Sequence, residues 1–155
     1  MIKRMRRIKD VDGRHPVTFL CADISQAAEY AQIDHRAHRL IKRLTPGPYT
    51  FILPSTKLVP KVLESKRKTL GIRIPDHPVP LALVQHLGRA LFNTTATTPD
   101  GTLLSDPREI RDALGHGVDL IFDAGLNLFD SSTVVDLCGE VPEVLREGKG
   151  PIDQL

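Results

Sequence analysis

Apolar positions recur along the chain as short runs of strand length, separated by stretches with helical spacing. Val17 to Cys21 is a run of β-forming residues. Asp23 followed by Gln26 resembles a capping box that opens a helix through Tyr30. Asp34 caps a second helix, in which Ala37, Leu40, Ile41 and Leu44 fall on one face and Arg36, Arg39, Lys42 and Arg43 largely on the other. Thr45-Pro46-Gly47-Pro48 must stop that helix, because two prolines and a glycine cannot continue it, and the chain is delivered into the apolar strand Tyr49 to Leu53.

Further along, Val59 to Leu63 predicts a short helix entered at Pro60, and Thr69 to Ile74 a strand. Pro75 to Pro78 is a turn before an apolar helix, Val79 to Leu87, ended by Gly88. Ala90 to Thr95 is a strand, and Ser105-Asp106-Pro107 opens a helix over Arg108 to Leu114. Strands are expected at Val118 to Phe122, Thr133 to Leu137 and Val141 to Leu145. This alternation predicts an α/β domain in which helices flank a twisted mixed β-sheet. With 155 residues and no repeat, linker or low-complexity segment, residues 1–155 read as a single domain. Periodicity does not encode strand order.

Charge sharpens the picture. Residues 1–73 carry 16 Lys and Arg against 6 Asp and Glu, whereas residues 74–155 carry 5 against 13. A polyanion, such as a nucleotide phosphate or an RNA backbone, suits the first half; mutual neutralisation of the halves within one fold is the alternative. No apolar run approaches a bilayer span, and the basic N-terminus is not followed by the apolar stretch of a secretory signal, so no membrane role is expected. Only Cys21 and Cys138 occur, without the spacing of a zinc or disulfide framework, which points to the cytoplasm. Both lie in β-forming surroundings where a thiol is inert packing.

Familiar phosphate loops and a nucleophile elbow are absent, and His35 with His38 lacks further ligands for a metal site. What remains is a set of hydroxyl, amide and cationic residues at strand ends. They are Arg73 before Pro75, Asn93-Thr94-Thr95-Ala96-Thr97, and Ser131-Ser132-Thr133. Ligands of open α/β sheets bind outside strand ends, so such groups can converge on a carboxylate or phosphates. Taken singly, Ser and Thr cap turns, and Arg73 can pair with Asp76.

In order, several segments resemble the YrdC/YciO-type threonylcarbamoyl-adenylate synthase family. They are Lys9 with His15-Pro16-Val17, Thr45-Pro46-Gly47-Pro48-Tyr49-Thr50-Phe51-Ile52-Leu53, and Thr69-Leu70-Gly71-Ile72-Arg73-Ile74-Pro75-Asp76-His77-Pro78. Asn93-Thr94-Thr95-Ala96-Thr97, Ser132-Thr133-Val134-Val135-Asp136-Leu137 and Leu145-Arg146-Glu147-Gly148 follow. Lys66-Arg67-Lys68-Thr69, with Leu20 to Ser25 upstream, looks more like the YciO branch. The resemblance implies a YrdC/RibB-like fold with a basic concave face. It also implies the reaction of L-threonine, bicarbonate and ATP, with Mg²⁺, to threonylcarbamoyl-AMP and pyrophosphate, a nucleotidyl transfer in tRNA modification. By the same resemblance, Lys9, His15, Thr69, Thr95, Thr97 and Arg146 would contact ATP. Arg73, Asn93 and Ser132 would hold threonine, Arg73 gripping its carboxylate, and no residue would act as a nucleophile or metal ligand.

The sequence departs from the family pattern at three points. Val11 stands where the family's Lys-x-Arg motif has arginine, Thr97 replaces an asparagine, and the chain begins after the position of the family's first segment, which supplies part of the threonine pocket. Weak or lost activity is therefore expected, and a sheet edge left open is an invitation to homodimerise. The alternative is a non-catalytic module that holds double-stranded RNA or tRNA on its basic face, Arg36, Arg39, Lys42 and Arg43 among the phosphate contacts.

Overall fold

The computed structural model describes residues 2–9, 18–60, 67–98, 100–126 and 131–155. The chain folds as two compact units, one of residues 16–93 and 130–155, the other of residues 1–15 and 94–129. The first unit contains the sheet. Its strands are β1 (Thr18–Leu20), β2 (Tyr49–Pro54), β3 (Thr69–Arg73), β4 (Leu91–Asn93), β5 (Thr133–Asp136) and β6 (Glu143–Arg146), in the order β4-β1-β3-β2-β5-β6. β1 with β3 and β2 with β5 are parallel; the other three neighbouring pairs are antiparallel. The mixed α/β sheet expected from the sequence is thus the one observed.

Local chemistry explains the helices of this unit. Asp23 accepts from the Gln26 backbone N–H at 2.8 Å and opens α2 (Ile24–Tyr30), while the Gln26 side chain accepts from Ala22 N–H at 2.8 Å. Asp34 does the same for α3 (His35–Leu44) through Ala37 N–H at 2.7 Å, and Ala37, Leu40, Ile41 and Leu44 are the buried stripe the periodicity predicts. His77 caps α4 (Pro78–Leu87), which ends at Gly88 with φ of 62°, a left-handed conformation suited to glycine.

One face of the sheet is the core. Phe19, Ile72, Phe51 and Val135 stand opposite one another across four adjacent strands, and all are buried. Tyr30 of α2 stacks on Phe19 with ring centroids 5.1 Å apart, which seats α2 on this face. Truncating a side chain such as Ile72 to alanine costs about 2–5 kcal/mol where a close-packed row cannot collapse.

The second unit contains α1 (Ile2–Lys9) and α5 (Pro107–Leu114), the latter capped by Asp106 through Arg108 N–H and followed by a 3₁₀ turn over Gly115–Gly117. Here the structure corrects the sequence: Val118 to Phe122 is not a strand. Its apolar, β-forming residues join no ladder among the described residues, and Leu120 and Phe122 are exposed. The segment is held instead by Arg4, which donates to Gly117 O at 3.0 Å and to both Asp119 carboxylate oxygens at 2.7 and 2.9 Å. The strand expected over Ala90 to Thr95 is shorter, as β4, and the helix expected over Val59 to Leu63 falls mainly outside the described residues.

Candidate anion-binding site

Alternation places a second set of side chains on the face of the sheet opposite the core. Gly71 stands across from Ile52 and from Thr18, and Thr18 across from Asn93. Two residues along β3, Arg73 lies across from Leu20; Thr50 lies across from Val134, and Val134 across from Arg146. Thr18, Asn93, Gly71, Arg73, Thr69, Thr50, Ser132 and Arg146 therefore share one side, contributed by five of the strands and the residue before β5.

Gly71 keeps this surface low beside Arg73. A Cβ there would lie 2.7 Å from Thr18 Oγ1 and 3.2 Å from Thr50 Cγ2, so only glycine lets the two threonine side chains close over this position. Thr50 and Ser132 are both buried, and their hydroxyls share a hydrogen bond of 2.8 Å. Behind them Thr133 Oγ1 donates to Gly150 O at 2.6 Å and accepts from Gly148 N–H at 3.0 Å, which fastens the segment after β6 against the start of β5. Arg146 donates from Nη2 to Ser132 O at 2.8 Å and from Nε at 3.3 Å.

Arg73 is the unusual member. Its Nε is buried and has no hydrogen-bond partner, and among the described residues it forms no ion pair, so the alternative pairing with Asp76 is not made. Burial, and next the charge of Arg146, hold its guanidinium below the ordinary arginine value. A half-buried cation within the field of a second cation, with a donor left over and hydroxyls on the same face, is a candidate for contact with an anion.

The residues assigned by resemblance are distributed as follows. Arg73, Asn93, Thr69, Ser132 and Arg146 lie on this one face, with Ser132 and Arg146 in direct contact. Lys9 is the last residue of α1 in the other unit, and Thr95 and Thr97 belong to that unit's loop, where Thr97 bridges Leu103. His15 lies outside the described residues. Reading the sequence missed Thr50 and Gly71. The signal for Thr50 was available, as the one aliphatic hydroxyl in an otherwise apolar strand; that for Gly71 lay in the strand neighbours, which no sequence pattern reveals.

Among the described residues no group of three His, Cys, Asp or Glu could hold a metal ion. Burial raises the Cys21 thiol to about 12 and the Cys138 thiol to about 11, the latter helped by Asp136. Neither is poised as a nucleophile at neutral pH. No described helix is long and apolar enough to cross a membrane.

A mixed six-stranded sheet flanked by helices, with two arginines and several hydroxyls on one face, defines an α/β domain. The Sua5/YciO/YrdC family model, described as "Telomere recombination", matches residues 1–148, and the chain belongs to that family. It is 41% identical over 153 residues to the protein YciO of Escherichia coli strain K12, covering 97% of this chain and 74% of that one. The crystal structure of E. coli YciO superposes with a TM-score of 0.91 over 99% of this chain and 75% of its own. The threonylcarbamoyl-AMP synthase of Pyrococcus abyssi is 27% identical over 156 residues, covering 99% of this chain and 46% of that one. The crystal structure of P. abyssi Sua5 complexed with L-threonine has a TM-score of 0.91. The chain thus spans about three quarters of YciO and about half of the synthase.

Proposed function

We propose that the protein is an L-threonylcarbamoyladenylate synthase of low turnover, which condenses L-threonine, bicarbonate and Mg²⁺-ATP to threonylcarbamoyl-AMP and pyrophosphate for the modification of tRNA. The observation that carries the proposal is the buried, unpartnered Nε of Arg73 on the same sheet face as Arg146, whose charge acts on it. A carboxylate at Arg73 supplies the missing acceptor and offsets the repulsion between the two guanidiniums. Threonine bound through its carboxylate at Arg73, near Ser132 and Asn93, is held by groups that leave its amine available. The family membership and the synthases related to this chain support threonine as that carboxylate's owner.

The chemistry asks little covalent work of the protein. The amine of threonine and bicarbonate form a carbamate with loss of water. A carbamate oxygen then attacks the α-phosphorus of ATP, and the bond to the β-phosphate oxygen breaks, releasing pyrophosphate. Rate comes from alignment and from cations that stabilise charge on the phosphates. Arg146 fits that part from unit residues 16–93 and 130–155, and by resemblance Thr69 does too. Magnesium enters as the counter-ion of ATP. Turnover is low because Val11 stands in place of one phosphate-binding arginine.

The test is pyrophosphate release by the purified chain with ATP, L-threonine and bicarbonate. Release that requires all three and falls at least about 100-fold in Arg73→Ala supports the proposal. Release that is absent, or that proceeds equally without threonine, overturns it.

A further inference from the structure

Among the described residues β6 forms one edge of the sheet, and all four of its residues are exposed. The outer backbone N–H and C=O groups of an edge strand are a template for another strand. At its middle Val144 and Leu145 are 40% and 51% exposed, and Val141 just before it is 75% exposed.

The register of β6 adds a second observation. In a regular strand, residues three apart point to opposite faces. Here Glu143 stands opposite Asp136 and Arg146 opposite Val134, with a register shift between Val134 and Val135. Residues 134 and 136 share a face of β5, so the irregularity brings Glu143 and Arg146 onto one face of β6.

We propose that β6 is a homodimer interface. Two copies of the chain pair their β6 strands antiparallel about a two-fold axis normal to the sheet, extending it across the molecules. Glu143 of each copy then meets Arg146 of the second copy on the same face, twice by symmetry, with Val144 and Leu145 between the two ion pairs. Arg146 holds Ser132 O through Nε and Nη2, and its Nη1 makes no hydrogen bond among the described residues, so it can reach the carboxylate. Charges and a bulge on an edge strand ordinarily repel strands of unmatched sequence; only a strand with the reversed order of charge and the same irregularity satisfies them, and a second copy supplies both. Two four-residue strands make a small interface, so association is weak and concentration-dependent.

Sedimentation velocity on the full chain over a rising concentration series tests this directly. The wild-type protein is expected to form a reversible dimer, loosened by salt. Glu143→Arg and Arg146→Glu should each weaken association by about 10-fold or more, and the double variant should regain it with the charges exchanged. Leu145→Asp, with the fold checked by circular dichroism, should also remain monomeric. A monomer at every concentration overturns the proposal. So does a dimer that survives the single charge reversals and Leu145→Asp, or a folded double variant that stays as weak as the singles.

Discussion

Arg73 and Arg146 face the same side of the sheet, three strands apart, and Arg73 has no acidic partner among the described residues to offset either its burial or the charge of Arg146. The cost of that arrangement falls on the ligand-free protein. Arg73→Leu is therefore expected to raise Tm by about 2–4 °C while abolishing binding of carboxylate ligands, the trade expected of a strained binding group. Scanning calorimetry checks it; a fall in Tm in the ligand-free state would show that Arg73 is a structural residue.

Gly71 is expected to resist substitution for a local reason. Its added methyl in Gly71→Ala meets Thr18 Oγ1 at 2.7 Å and crowds Thr50, costing about 1–3 kcal/mol in urea unfolding. Thr18→Ala in the same chain should recover most of that loss. Equal loss in the presence and absence of Thr18 would contradict the contact.

The lower end of the same face makes a prediction about acid. Burial raises the affinity of the Asp136 carboxyl for a proton, but the Cys138 N–H at 2.8 Å, the Cys138 thiol and Arg67 at 3.1 Å outweigh it and hold the group below its ordinary value of 3.8. A carboxyl depressed in the folded state contributes stability that is fully present above its unfolded value and is lost as pH falls through the folded one. Asp136→Asn should thus be clearly less stable than wild type at pH 7, with the difference shrinking towards pH 3. A difference that is constant across that range would remove Asp136 from the account.

Both thiols should be slow. With Cys21 raised to about 12 and Cys138 to about 11, the thiolate is scarce at pH 8, and alkylation by iodoacetamide should be slower than that of free cysteine, most so at buried Cys21. Rapid modification of either in the native protein would contradict this.

Much of this was legible in the residues. Asp23, Asp34 and Asp106 mark their helices because a side-chain acceptor three or two residues ahead of a free N–H is a local device, and Gly88 ends its helix for an equally local reason. Val118 to Phe122 was misread because a short apolar run states only that a segment suits a sheet, whereas pairing depends on partners far along the chain. The site divides in the same way. Arg73, Asn93 and Ser132 stood out as polar residues at strand ends, and Arg146 was indicated by the family resemblance. Thr50 joins them only through a bond to Ser132 across 82 residues, and Gly71 only through the threonines that flank it in neighbouring strands.

The most direct test of the central claim, that Arg73 presents a vacant anion-binding donor on the sheet face, is calorimetric titration of the full chain with L-threonine and with L-threonine methyl ester, which lacks the carboxylate. The account predicts saturable binding of threonine, no measurable binding of the ester, and loss of threonine binding in Arg73→Leu. Equal binding of threonine and its ester, or threonine binding unchanged in Arg73→Leu, would contradict it.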